Sequence, residues 1–179
     1  MSRILIAPSR YVQGQGAIHE IGLHAARLGT KALVTGGKRA LVACGEAIQA
    51  SLKEKNLSCV QELFNGECCD NEINRLVALA RKEGADFVIA TGGGKVIDTG
   101  KAVAHAMKVP VIVVPTIAAT DAPCSALSVV YSDTGVFDRY LVLPHNPNCV
   151  LVDTSIIANS PVETLVSGMG DALATFWEA

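Results

Sequence analysis

Short apolar runs alternate with helical repeats along the chain. Residues 31–37 (KALVTGG) read as a strand running into glycines, and 39–55 (RALVACGEAIQASLKEK) as the helix that follows. A second strand is predicted over 58–64 (SCVQELF). Residues 70–84 (DNEINRLVALARKEG) give the clearest helix. Ile73, Leu76, Val77 and Ala80 form its apolar face, Asp70 or Asn71 can cap it, and Gly84 ends it. A third strand over 86–91 (DFVIAT), a helix over 95–108 and a fourth strand over 109–116 (VPVIVVPT) continue the rhythm.

These strands are rich in Val and Ile and lack polar alternation. Such strands are buried on both faces, as in parallel sheets covered by helices. The expected fold is therefore α/β, with a doubly wound, mostly parallel sheet. The rhythm breaks over 126–152. There, LSVVY and VFDRYLVL flank SDTG and predict a β-hairpin insertion, with Gly135 free to take a positive φ in its turn. NCVLVD (148–153) adds a further strand. A helical pattern starts at Ser160-Pro161, with Glu163 in its first turn, and the sequence stops within it. The expected organisation is an α/β domain over 1–159 and the first helix of a second, helical domain over 160–179.

Composition narrows the function classes. The chain has 179 residues, half of them hydrophobic. A chain of this size buries roughly 70% of its unfolded surface, enough for one sizeable core. The net charge is −2, and the densest basic stretches are the pairs Lys38-Arg39 and Arg81-Lys82. That is too little for a phosphate-backbone stripe, so no nucleic-acid partner is expected. No apolar run reaches the ~20 residues that span a bilayer, so no membrane association is expected. Cysteines at 44, 59, 68, 69, 124 and 149 form no C-x-x-C pair. The reading is a cytoplasmic protein with reduced thiols.

The chemistry gathers at two loops. In DFVIATGGGKVIDTGKA (86–102), Gly92, Gly93 and Gly94 lie where a strand meets a helix, and Lys95 follows. The first amides of a helix have no internal partner and sit at its positive end, so a phosphate or pyrophosphate fits there. A tight connection is the plain alternative. Neither Walker A nor the Rossmann fingerprint matches, since Ile89 and Val96 occupy key places of the first and Ile97 the last place of the second. GQGAIH (14–19) fails the Rossmann pattern at His19 and reads as a turn. Asp98 is placed in the helix's first turn, where it either stabilises the dipole by about 0.3–1 kcal/mol or accepts from a ribose hydroxyl. The second loop, VVPTIAATDAPCSALSVVY (113–131), collects Thr116, Thr120, Asp121 and Ser125 after the fourth strand. These residues suit sugar and substrate hydroxyls, or equally a local Asx or Ser/Thr turn. Asp171 stands in the small, apolar stretch GMGDALAT, as a cation ligand or simply exposed. The four histidines show no i, i+4 metal pair.

Together, GGGKVIDTGKA, PTIAATDAPCSALSVVY, FDRYLVLPHNPNCVLVDT and GMGDALATFWEA closely resemble the glycerol dehydrogenases of the iron-containing alcohol dehydrogenase superfamily. The likeness runs from RYVQG to the last residue. It implies an N-terminal dinucleotide-binding domain, a C-terminal helical domain and an active site between them. It also implies oxidation of glycerol to dihydroxyacetone with NAD and a divalent metal, usually zinc. Carried over by position, Gly93, Gly94 and Lys95 hold the pyrophosphate. Asp98 belongs to the same motif, and Thr116, Ser125, Leu127 and Tyr131 line the nicotinamide half. Asp121 contacts substrate, and Asp171 is the first metal ligand; both are assigned to catalysis.

Departures from the family pattern widen the expectation. Gly37 stands where an aspartate commonly binds the adenosine ribose, so Lys38 or Arg39 leave NADP open beside NAD. Related hydroxycarboxylate-type members also have a GKRA run, which leaves a hydroxycarboxylate or another vicinal diol open as substrate, and Ala119 replaces a serine often found beside the cofactor. The family's two metal-binding histidines come from the helical domain. A truncated, non-catalytic nucleotide-binding module, or half of a split enzyme completed by a separate helical polypeptide, is the alternative. The full-length form is expected to be a homo-oligomer.

Overall fold

The structure, a computed structural model, describes residues 6–178. Five of the strands are β1 (Tyr11–Gly14), β2 (Lys31–Gly36), β3 (Ser58–Leu63), β4 (Phe87–Gly92) and β5 (Val111–Pro115). The others are β6 (Leu127–Tyr131), β7 (Phe137–Val142) and β8 (Cys149–Asp153). The helices are α1 (Ile21–Ala25), α2 (Lys38–Glu54), α3 (Asp70–Glu83), α4 (Gly94–Met107), α5 (Thr154–Ala158) and α6 (Val162–Glu178).

Six strands form one sheet in the order β1-β8-β5-β4-β2-β3, and every pairing in it is parallel. Alternate side chains serve opposite faces. Leu33, Val88 and Val113 pack with Ile73, Leu76, Ile97 and Val103 of α3 and α4. Val34, Ile89, Ile112 and Val114 pack with Ile21, Cys44, Ile48 and Leu52 of α1 and α2. Burial on both faces explains why these strands read as continuous apolar runs. β6 and β7 form the separate antiparallel hairpin, and Gly135 takes φ 79° in its turn.

From β2 the chain moves outward to β3, then returns to the other side of β2 to lay down β4. The strand order therefore reverses between β2 and β4, and open α/β sheets place ligands beyond the carboxyl ends of strands at such a point. Gly36 and Gly37 end β2 there, and Gly92, Gly93 and Gly94 end β4. The helix that continues β4 lies unusually close to the sheet. A Cβ on Gly100 would sit 2.3 Å from the Cβ of Ala90, so only glycine fits.

Several local expectations change. The segment 14–19 continues into a 3-10 turn, Ala17–Glu20, after an edge strand that short, polar YVQG did not announce. Cys69, not Asp70 or Asn71, is the N-cap of α3, and no side chain caps it. Instead, Asp70 pairs with Arg139 at 2.7 Å and Asn71 donates to Asp133 at 2.6 Å, tying α3 to the hairpin. Those long-range partners outbid the local cap. Asp98 lies in the second turn of α4, because that helix starts at Gly94. α6 has no buried residue over 162–177. It meets the rest of the fold closely at Gly168, where a Cβ would fall 2.0 Å from the Ala118 carbonyl oxygen.

Candidate functional site

The two polar loops meet at the switch point. β4 and β5 are neighbours, with Gly92 opposite Pro115. The Thr116 amide donates to the Gly92 carbonyl at 3.0 Å, which lays the second loop across the first. Gly92 has φ 151°, a conformation that side chains rarely adopt. Gly93 is the N-cap of α4, and among the described residues no side chain bonds the helix's first amides. A Cβ on Gly93 would press on Ile117 at 2.8 Å, and one on Gly94 would meet Thr120 at 3.3 Å. The junction is thus a bare-backbone cradle with uncapped N–H groups under a loop, which is what a diphosphate requires. A cleft of ≈ 500 Å³ adjoins it, lined by Arg39, Thr116, Ile117, Ser155 and Asn159 among others.

Lys95 leaves the cradle and lies at 2.6 Å from Glu67, with Nζ 5.7 Å from the centre of the Tyr131 ring. Tyr131 is half-buried against Phe137, and its amide donates to the Cys68 carbonyl at 2.8 Å. Lys95 therefore stands between Glu67 and the Tyr131 ring, beside the junction rather than in it.

Asp98 points elsewhere. Its side chain is buried, with Oδ1 3.0 Å from Lys101 Nζ and Oδ2 accepting from the Val129 amide at 3.0 Å. Burial pushes this carboxyl above its ordinary range, against the opposing pull of Lys101 and the Val129 amide. Lys101 is only 2% exposed and also donates to carbonyls of the second loop. Ser125 and Leu127 are held by this ammonium, through the hydroxyl at 3.3 Å and the carbonyl respectively.

Asp121 is exposed, and its backbone amide donates to Asp171 Oδ2 at 3.0 Å. Gly168 makes this possible, because it lets α6 approach the loop one turn before Asp171. The Ser/Thr turn foreseen in the second loop is made by Thr120, whose hydroxyl accepts from the Ala122 amide at 3.3 Å. Burial, and after it the Asp121 carboxylate, push the Cys124 thiol above its ordinary value against the opposing pull of Lys101.

The arrangement fits a dinucleotide but does not complete a metal centre. Among the described residues, no group of three His, Cys, Asp or Glu side chains is placed to hold an ion. Asp171 is a single exposed carboxylate. No described helix is long and apolar enough to cross a membrane.

Two residues of this neighbourhood escaped the sequence reading. Lys101 carried a signal, an Asp-x-x-Lys pair inside an apolar helix, since charges three apart share a helix face. Glu67 carried none, because its partner is 28 positions away.

Comparison with known proteins bears on the family and the fold. The model of the family described as iron-containing alcohol dehydrogenase matches residues 8–154. The glycerol dehydrogenase of Escherichia coli O6:H1 is 48% identical over 179 residues, all of this chain and 49% of that protein. That of Thermotoga maritima is 51% identical over 178 residues, 97% of this chain and 47% of that protein. A crystal structure described as a probable glycerol dehydrogenase from Sinorhizobium meliloti 1021 superposes with TM-score 0.91 at 40% identity, over 98% of this chain and 48% of that one. The chain spans about half the length of the relatives it matches. A family model covering most of the chain, relatives near 50% identity and the same α/β sheet together show that the chain belongs to the iron-containing alcohol dehydrogenase family.

Proposed function

We propose that this chain supplies the coenzyme-binding part of an NAD-dependent, metal-dependent dehydrogenase that oxidises glycerol to dihydroxyacetone. The observation that carries the reading is the bare glycine junction at the switch point, with the Thr116–Ser125 loop laid over it. Gly93 and Gly94 present uncapped amides to the diphosphate. Lys95 adds a charge-assisted contact after leaving Glu67. Thr116, Ser125, Leu127 and Tyr131 line the nicotinamide side. Asp98 serves the site from behind, by fixing the start of the hairpin. Asp121 binds substrate hydroxyls at the exposed mouth of the loop. A bound nicotinamide supplies the acceptor for the hydride that leaves the alcohol carbon. The residues named here bind and orient it, and orientation alone removes a large entropic part of the barrier.

Asp171 is read as one ligand of a divalent ion, zinc, whose other ligands come from polypeptide outside the described residues. The first turn of α2 carries Lys38 and Arg39 and no acidic residue, so a 2′-phosphate meets no carboxylate there. NADP is therefore the second coenzyme to test.

Calorimetric titration with NADH tests the reading. Saturable one-site binding by the folded chain is expected, and no heat with either NADH or NADPH overturns it. Turnover is a separate question. Glycerol, NAD and zinc added to this chain alone should give coenzyme binding with little reduction of NAD, because one carboxylate does not hold a catalytic ion. Where activity is restored by further polypeptide, kcat/KM should be higher for glycerol than for other vicinal diols and 2-hydroxycarboxylates.

A further inference from the structure

We propose that Lys101 is a positioning residue. Its buried ammonium fixes the segment 122–127, and so shapes the nicotinamide end of the site without touching the coenzyme. The inference rests on the coenzyme-binding reading above and assigns a role to a residue deep beneath it.

Residues 116–126 lie between β5 and β6 outside any strand or helix, and the hairpin ladder reaches only their end, where the Leu143 amide donates to the Ala126 carbonyl at 2.9 Å. Polar ties replace the ladder elsewhere. Lys101 Nζ donates to the Ala122 carbonyl at 2.9 Å, reaches Ser125 Oγ at 3.3 Å and Ser125 O at 3.4 Å, and bonds the Leu127 carbonyl. An ammonium has three protons and no fixed plane, so it can gather several carbonyls around one point. Only 2% of Lys101 is exposed, which makes removal of this charge from water costly unless it is paired. Asp98 pairs it at 3.0 Å.

The same carboxylate extends the grip. Its Oδ2 takes the Val129 amide at 3.0 Å, and the Ser128 hydroxyl donates to the Asp98 backbone carbonyl at 2.9 Å. Residues 127, 128 and 129 are thus each fastened to α4. From the other side, Asn146 donates to the Cys124 carbonyl at 2.6 Å. Ser125 and Leu127, the residues assigned to the nicotinamide half, stand between these anchors. The diphosphate cradle depends on none of them, because Gly93 and Gly94 are held by β4 and the start of α4. Loss of Lys101 should therefore damage one end of the site and spare the other.

Two ligands separate the ends. ADP-ribose carries the diphosphate and both sugars but no nicotinamide; NADH carries all of them. Both are titrated calorimetrically into the whole 179-residue chain and into Lys101→Met. Wild type should bind NADH more tightly than ADP-ribose. Lys101→Met should lose about tenfold in NADH affinity and change less than twofold for ADP-ribose. Equal losses for both ligands would reveal a merely structural role and overturn the proposal, as would no loss for either. Equal wild-type affinities would also overturn it, because the nicotinamide end would then add nothing. Wild type binding neither ligand would bring down the coenzyme reading itself. If Lys101→Met fails to fold by circular dichroism, Lys101→Gln keeps donors at similar reach and is read by the same two titrations.

Discussion

Strand β4 and helix α6 both meet the loop that follows β5, one through Gly92 and the other through Gly168 and Asp171. All six residues of β4 are buried, and its end delivers an uncapped helix N-terminus. α6 has no buried residue over 162–177, and Val166, Met169, Phe176 and Trp177 are each more than half exposed. The glycine junction is built from backbone that β4 and the start of α4 order, so its geometry is set by the sheet. Asp171, proposed above as a metal ligand, rides on a helix with one tight contact at Gly168, so its geometry depends on whatever else meets that helix. A site made of main-chain amides comes with the fold; a site made of side chains needs every element that bears one.

The largest effect should come from breaking the close approach on the β4 side. Gly100→Val places a branched side chain against Ala90, at a position where even a Cβ falls at 2.3 Å. Overpacking of this kind costs about 3 kcal/mol. Urea unfolding should show that loss, and a stable Gly100→Val would mean that α4 can lift from the sheet at little cost. Next comes Asp153, 1% exposed at the end of β8. Its carboxylate takes the amides of Gly16 at 3.2 Å, Ile18 at 3.1 Å and Ser155 at 2.9 Å, joining the first turn of the chain to α5. Asp153→Ala strips that cap and leaves buried amides unpaired, for about 2 kcal/mol.

Asp153 also predicts a pH dependence. Burial raises its pKa, but the amides of Ile18, Ser155, Gly16 and Ile156 outweigh burial and lower it below the ordinary 3.8. A carboxylate with a lowered folded-state pKa stabilises fully above its unfolded value, and loses that contribution as pH falls through the folded one. The stability gap between wild type and Asp153→Ala should therefore be widest at neutral pH and should narrow progressively as pH falls below about 4. A gap undiminished at pH 2 would place the stabilisation in packing rather than in charge.

Much of this was readable in the residues. The runs 87–92 and 111–115 announce buried parallel strands, and the spacing of Ile73, Leu76, Val77 and Ala80 announces α3. Gly92 to Gly94 announce the junction, because glycine between a strand and a helix has few other uses. What escaped depends on distant partners. β1 is a strand only because β8, some 140 positions later, offers an edge to Tyr11–Gly14. Asp153 reads as the end of a strand until Gly16 and Ile18 arrive at its carboxylate. The motif assigns Asp98 to the cofactor site but does not announce that its carboxylate pairs with Lys101 and takes the Val129 amide. Local pattern fixes elements and backbone sites; the direction of a charged side chain waits for the tertiary contacts.

A smaller effect should come from Glu67. Its carboxylate holds Lys95 at 2.6 Å, and on the proposed coenzyme reading it competes with the diphosphate for that ammonium. Lys95 is 57% exposed, so the pair is well screened and worth less than about 1 kcal/mol. Glu67→Gln keeps the shape, releases the ammonium and removes a negative charge near the cradle. NADH affinity should rise about threefold at low salt, and the gain should shrink in high salt. A loss of affinity instead would show that Glu67 holds Lys95 where the coenzyme needs it.

The smallest effect is expected on α6. Leu173 is 65% exposed, and a polar replacement there removes almost no burial. Leu173→Gln should therefore change the unfolding free energy by no more than about 0.5 kcal/mol. Ile89 in β4 is fully buried, and Ile89→Ala should cost several kcal/mol by comparison. The contrast has a clear way to fail. If Leu173→Gln costs more than about 1 kcal/mol, the face of α6 is covered in solution. Sedimentation velocity across a range of concentrations would then decide how. A mass that falls on substitution would assign the cover to a second copy of the chain. An unchanged monomer mass would return it to this chain, and α6 would have to pack where the present structure leaves it exposed.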